Sequence, residues 1–442
     1  MKYRLVVFIQ LVLLLVVKAG AQSLWDGAHL AHVKTCLEQP AYATAYHQLT
    51  READWLMQAE PVSVMMKKKV AVSGDRHDYM SLSRYYWPDP SEPDGLPYIV
   101  RDGVSNPELE EFDRPRLAQM ANNVTTLSLA WYFSNDERYA QKAVEQLRVW
   151  FINKATRMNP NLNYAQTIPG KFGGKGRCYG VIDGYSFVEM LDAVQLLEHS
   201  KSFTSKDSKA LKLWFSQFLN WILTSDQGIE EGQQLNNHST AHDVQVIAYA
   251  KYVGNTKVMN QFLGEFYHKR LIAQIEPDGK QPRELRRTLA FGYSQYNLTH
   301  IIDVFQIARS AHYELHPDAL SLLEKAADFL ADYLGKKVET WPYQQISDWE
   351  NKQNLLSYDL YRLWLLDSNR VDYLKQAQTN MVKRFSDRFF LLYYHPDNID
   401  HAYAAADTQL RCLLKNTEVA RKAAKDKSKI MPRCVEKDGS LR

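Results

Sequence analysis

The sequence predicts an all-α fold, a ring of antiparallel helix pairs with one concave, loop-lined end. Three observations carry the prediction. From about residue 115 onward, apolar residues recur at spacings of three and four in stretch after stretch. Alternating segments of period two are scarce, and no G-x-G-x-x-G or P-loop marks a strand–helix nucleotide unit. A superhelical repeat protein would show a fixed period of about 34 or 40 residues, and none is present.

The chain opens with Lys2 and Arg4, an apolar run from Leu5 to Val17, and Ala19-Gly20-Ala21 in an A-x-A pattern. Residues 1–21 therefore read as an export signal, with the mature chain starting at Gln22. The run is about 13 residues, short of the roughly 20 that span a bilayer. The expectation is an exported protein, periplasmic or secreted, with no stable membrane anchor. Of the 442 residues 45% are hydrophobic, which excludes a disordered chain, and a net charge of +3 gives no reason to expect nucleic acid. Cys36, Cys178, Cys412 and Cys434 form no C-x-x-C pair, so buried thiols are expected rather than a zinc knuckle.

Within the helical region, Asp136 precedes a face formed by Tyr139, Ala143, Leu147 and Trp150. The same spacing returns in Phe187, Met190, Leu191, Val194 and Leu197, and in Leu211, Trp214, Phe215, Phe218 and Ile222. It returns once more in Ala319, Leu323, Ala326, Leu330 and Leu334. Ser73 to Asp113 and Asn159 to Tyr185 break the rhythm and are rich in Gly, Pro, Asp and aromatics, the composition of functional loops. The Lys-rich C-terminus lacks periodicity. The expected organisation is a signal at 1–21, one catalytic domain at 22–415 and a flexible basic tail at 416–442.

Three constellations carry chemistry. Tyr79, Tyr85, Tyr86 and Trp87 lie among charged residues in the first loop, suited to packing on sugar rings or, equally, to plugging the core. Asn236-Asn237-His238-Ser239 offers amides and an imidazole, or simply a helix cap. Arg283, Arg286 and Arg287 form an anion-facing cluster ahead of Tyr293 and Tyr296, or a surface ion-pair network with Glu284. On one continuous helix, Arg286 and Tyr293, seven residues apart, share a face.

Together these stretches resemble the alginate-lyase-domain polysaccharide lyases. SGDRHDYMSLSRYYWPDP with DGLPYIVRDG is similar to the family's N-terminal signature, and RMNPNLNYAQTIPG with GRCYGVID to its middle. The N-N-H triplet and the D-G-x-x-P-x-E-L-x-R stretch leading to Y-x-x-Y resemble its catalytic half. The match spans about residues 60 to 400, and family 38 is a nearer likeness than the shorter family 5 enzymes. The resemblance implies an incomplete α/α toroid and β-elimination on uronic-acid polymers, with neither metal nor cofactor. It also implies Asn237, His238 and Tyr293 as catalytic residues. For the arginine, counting back from Tyr293 gives Arg286 and counting forward from Glu284 gives Arg287. Arg286 is taken as catalytic, and Arg287 joins Tyr79, Tyr85, Tyr86, Trp87, Gln166 and Arg177 as substrate contacts.

The residue types suit elimination. The C5 proton of a uronide is poorly acidic beside a charged carboxylate, so donors aimed at that carboxylate lower the barrier. A tyrosine taking the proton needs its phenolate stabilised, a task the sequence assigns to the arginine cluster. Two other readings stay open. A glycoside hydrolase would need paired carboxylates, with Asp243, Glu284, Asp348 and Glu350 available, and a non-catalytic glycan-binding protein would need no base.

Overall fold

Capping residues set where the helices begin and turn. The computed structural model describes residues 22–381 and 387–396; the expected signal at 1–21, the tail at 416–442, Cys412 and Cys434 lie outside the described residues. The N-terminal part forms α1 (Gly27–Thr35) and α2 (Pro40–Leu56), then the short strands β1 (Met80–Leu82), β2 (Tyr86–Trp87) and β3 (Ile99–Val100). Helices α3 (Asp113–Ser134) and α4 (Glu137–Leu147) follow, then β4 (Tyr164–Thr167), α5 (Phe187–Leu197), α6 (Ser205–Thr224), α7 (Asp226–Gly232) and α8 (Asn237–Val253). The chain continues through α9 (Thr256–Phe266), α10 (Ile272–Gln274), α11 (Pro282–Leu285) and α12 (Ala290–Ser310). It finishes with α13 (Ala319–Ala331), α14 (Trp349–Leu366), α15 (Val371–Met381) and α16 (Phe389–Leu392).

The predicted faces are the buried ones. Tyr139, Ala143 and Leu147 of α4 are buried, with Asp136 capping Arg138 N–H, and Trp150 is buried in the π-helical turn beyond. The apolar stripes of α5 and α6 are buried throughout, and Thr204 and Asp207 close a reciprocal cap at the start of α6. Leu334 falls just outside α13 and is only half-buried.

An inner succession α3–α5–α8–α12–α14 carries the ring, with no comparable α14–α3 packing among the described residues. The ring is therefore open, an incomplete α/α toroid. Outer helices α4, α6, α9, α13 and α15 pack on this succession with amphipathic faces. Inner helices α8 and α12 are buried nearly all round, so they lack a polar face. Gly254, in the left-handed region, ends α8 and turns the chain into α9.

The two irregular stretches meet each other. β1 pairs in parallel with β4, and β2 pairs antiparallel with β3 to make a short hairpin. Among the described residues no helix is long and apolar enough to cross a membrane. The N-terminal segment is anchored by Asp192 of α5, whose carboxylate accepts the N–H groups of Ser23, Leu24 and Trp25.

Candidate active site

The first turn of α8 supplies the Asn–His pair. Asn236 caps it, accepting a hydrogen bond from His238 N–H at 3.3 Å, so the capping role falls to Asn236 and its two neighbours are left for other work. Asn237 is buried and donates twice to Glu284, from its backbone N–H (2.7 Å) and from Nδ2 (2.8 Å). Burial holds the Glu284 carboxyl above its ordinary pKa, and the two Asn237 bonds pull it back. His238 Nδ1 lies 2.7 Å from Oε1 of Glu231, a fully buried residue of α7. A carboxylate at that distance selects the tautomer with the proton on Nδ1 and fixes the ring. The ring edge of Tyr179 meets the imidazole at 4.9 Å.

The arginine cluster departs from the expected geometry. Residues 282–296 are not one helix: α11 ends at Leu285, and α12 begins only at Ala290. Between them Leu289 bridges Gln345, Ala290 N–H reaches Gln344 O at 2.9 Å, and Ile346 N–H reaches Thr288 O at 3.1 Å. The seven-residue spacing therefore does not align Arg286 with Tyr293, and Arg286 is exposed. Arg287 takes the place beside the tyrosine. Its Nη2 donates to Tyr293 Oη at 2.9 Å, and its guanidinium lies 3.9 Å from the Tyr293 ring centroid. Arg287 also pairs with Asp102 at 2.6 Å.

Tyr293 Oη in turn donates to Tyr85 Oη at 2.9 Å, making an Arg287–Tyr293–Tyr85 unit that joins the first loop to α12. Tyr293 is half-buried, neither free in solvent nor sealed in the core. Its phenol is held well above the ordinary value, by burial first, with Tyr85 adding and Arg287 opposing. The expectation that arginines would hold it as phenolate is thus corrected for the free protein: desolvation outweighs the guanidinium. Glu284 and Arg287 flank a single turn, and both His238 and Arg287 act on the Glu284 carboxylate. That turn links the Asn–His pair to the tyrosine.

The first loop delivers some of the expected contacts and withdraws one. Tyr79 is fully buried and donates to Asp183 at 3.0 Å, because β1 is drawn onto β4 and turns this side chain inward; it is a core residue, not a substrate contact. Tyr86 is half-buried beneath the Arg177 guanidinium at 5.1 Å, and Arg177 bonds Ser83 Oγ at 2.6 Å. Gln166 adopts φ 50° and sets its Oε1 3.5 Å from Arg177 Nη2. Trp87 donates to Val104 O at 2.9 Å, with Arg101 over its ring. The hairpin and the residues after it form a strap reaching α12's entry. Asp102 there accepts from Arg287 and Thr288, and a Cβ on Gly103 would sit 2.7 Å from Thr288 Oγ1 and 2.8 Å from Ile346 Cδ1, so only glycine permits the approach.

The carboxylates weighed for hydrolysis are otherwise engaged. Asp243 is buried in a bidentate pair with Arg270, and Glu284 is buried on Asn237. Asp348 and Glu350 mark the start of α14, as a helix-start reading expects. Glu231, which orients His238, was not singled out from the sequence, and Glu284, which holds Asn237, was read there only as an ion-pair partner or a hydrolytic carboxylate. Nothing in E-E-G or P-R-E-L distinguishes a buried orienting carboxylate from a solvated one.

An open ring of helices with an amide, imidazole, guanidinium and phenol gathered at its loop-lined end defines a class, the polysaccharide lyases. Residues 63–341 match the family model described as Alginate lyase, and the chain belongs to that family. It is similar to the crystal structure of an alginate lyase from Bacteroides ovatus, with 47% identity and a TM-score of 0.82 over 84% of this chain and 98% of that one. Against alginate lyase A1-III from Sphingomonas species A1 the identity is 12% and the TM-score 0.45, over 82% of this chain and 99% of that one. No curated protein sequence matches the chain.

Proposed function

We propose that this protein is an exported lyase that cleaves 4-linked uronic-acid polymers, polymannuronate or glucuronan, by syn β-elimination with Tyr293 as both base and acid. The observation that carries this reading is the Arg287–Tyr293–Tyr85 unit, set on the same turn as the Asn237–Glu284 pair. Tyr293 as phenolate takes the C5 proton, the C4–O bond breaks, and the resulting phenol returns the same proton to the leaving oxygen. In β-D-mannuronate and β-D-glucuronate these two atoms lie on one ring face, so one side chain serves both steps; α-L-guluronate would need a second acid.

The uphill step is forming the phenolate. It costs about 4 kcal/mol at neutral pH for an ordinary tyrosine, and burial adds to that. Arg287, donating to Oη, opposes the cost, while the hydrogen bond to Tyr85 orients the hydroxyl and the proton is released to solvent. Because the cycle ends with phenolate again, this ionisation is not repeated at each turnover. Asn237, through the Nδ2 hydrogen not used on Glu284, and His238, as the imidazolium with Nδ1 on Glu231 and Nε2–H turned to the ligand, contribute donors that disperse charge on the uronate carboxylate.

The test is absorbance of the 4,5-unsaturated product on polymannuronate, polyguluronate, glucuronan and hyaluronan. Tyr293→Phe is expected to lose at least 1000-fold in turnover while still binding polymer. Products without that chromophore, or a fully active Tyr293→Phe, would refute elimination by this residue.

A further inference from the structure

The cations around Tyr293 are not equally available to an anionic ligand. Arg287 is paired with Asp102, and Arg114 with Asp183 at 3.2 Å. Arg84 and Lys352 differ: neither takes part in an ion pair among the described residues, yet both are half-buried. Arg84 Nε is buried with no hydrogen-bond partner, a costly state for a charged donor unless something fills it. The backbone around it is rigid: Asn106 N–H holds Arg84 O at 2.9 Å, Asn106 Nδ2 holds Tyr86 O at 2.8 Å, and Arg101 N–H holds Tyr85 O at 2.7 Å. Arg84 directly precedes Tyr85, whose hydroxyl is bonded to Tyr293.

Lys352 arrives from the other side. Its stem lies across Gly292, the residue before Tyr293, with Cε 3.2 Å from where a Cβ on that glycine would sit. Arg84 is disfavoured first by Arg114 and favoured by Tyr85, Tyr293 and Asp183, and its own charge reaches Lys352, on which Asp348 and Asp359 act in the favourable sense. Two cations thus flank Tyr293 through its neighbours, Lys352 of α14 on Gly292 and Arg84 beside Tyr85, with Asp183 already taken by Arg114, Tyr79 and Ser81.

We infer that Arg84 and Lys352 form an anion seat beside Tyr293 that receives a uronate carboxylate of the bound polymer. The seat explains why Arg84 keeps a buried Nε with no hydrogen-bond partner and why Lys352 lies over Gly292 without a direct ion pair among the described residues: the ligand supplies the partner. The inference rests on the lyase reading for its choice of ligand, and its test does not depend on turnover.

Binding of polymannuronate and of glucuronan is measured by calorimetry in the full chain carrying Tyr293→Phe, with Arg84→Gln, Lys352→Gln or Arg84→Lys added. Each glutamine variant is expected to weaken binding of the preferred polymer roughly tenfold or more, the loss of one charge-assisted contact, and to flatten its salt dependence. Thermal stability should hold or rise, because an unpaired cation is removed, and Arg84→Lys should recover part of the affinity. Unchanged affinity in both glutamine variants would overturn the seat. So would a weakening accompanied by a matching fall in stability, which marks a structural role, or a parent protein that binds neither polymer. A parent that binds but shows no cleavage with Tyr293 restored would leave the seat standing and remove the lyase reading.

Discussion

At the scale of single residues, the sharpest question is which of two adjacent arginines serves the tyrosine. Arg287 touches both the hydroxyl and the ring of Tyr293, whereas Arg286, in the same break between α11 and α12, is exposed. A lysine cannot reproduce a planar guanidinium that donates to Oη, pairs with Asp102 and lies on the ring at once. Arg287→Lys is therefore expected to lower kcat about 100-fold or more, and Arg286→Lys to stay within about threefold of the parent, by initial rates of unsaturated-product formation. The reverse ranking would return the role to Arg286. The residues at the site were legible in the sequence because the N-N-H triplet and the D-G-x-x-P-x-E-L-x-R stretch leading to Y-x-x-Y resemble the family's; the residue types alone left a helix cap and a surface ion-pair network open. The register between the arginines was not legible, since it depends on Leu289 bridging Gln345, some 56 residues away. Tyr79 was misjudged for a similar reason: only the pairing of β1 with β4 decides that it points at Asp183 rather than at solvent.

At the scale of elements, the strap that follows β2 and β3 ties the N-terminal loop to the entry of α12 through Asp102. Two consequences of Asp102→Asn can be separated. The ion pair is about a third exposed on both sides, so its loss should cost about 1 kcal/mol or less in stability. Its electrostatic effect reaches further, because Asp102 holds the Tyr293 phenol up while Arg287 pulls it down. Removing the negative charge leaves burial and Tyr85 as the opponents of Arg287, and the phenolate forms at lower pH. The acidic limb of the kcat/KM profile is expected to shift to lower pH in Asp102→Asn, and an unmoved limb would show that Tyr293 ionisation does not govern it. The helices of the outer layer were legible because each must bury one stripe, which prints the spacing seen in α4, α6 and α13, and the inner α5 shows the same spacing. The strands were not, because two to four residues are too few to display alternation, and their pairing is settled by the loops that carry them.

At the scale of the whole molecule, one hydrophobic core runs from Trp25 to Tyr394, and the inner helices α8 and α12 place polar groups inside it. All-round burial of these helices erases the amphipathic pattern, so the ring was legible mainly from its outer layer. His300 of α12 is the clearest such group: fully buried, with neither ring nitrogen hydrogen-bonded, and set against the edges of Tyr185 (4.4 Å) and Tyr296 (4.1 Å). Burial, with His238 adding, lowers its pKa from 6.5 to about 3. A histidine depressed in the folded state contributes stability that is present above pH 6.5 and is lost as pH falls toward 3, since only the unfolded chain takes up the proton in that window. Asp192 and Asp359 act in the opposite sense, each pushed by burial to about 6, so protonating them favours the folded state as pH falls from about 6 to 3.8. The parent's acid limb is the sum of these opposing slopes, and the difference between the parent and His300→Leu isolates one of them. Relative to its own value at pH 8, His300→Leu should lose about 2 kcal/mol less stability than the parent at pH 5, measured by denaturant unfolding at each pH. Stability curves that stay parallel from pH 8 to pH 5 would mean that His300 takes up its proton in the folded protein as readily as in the unfolded one.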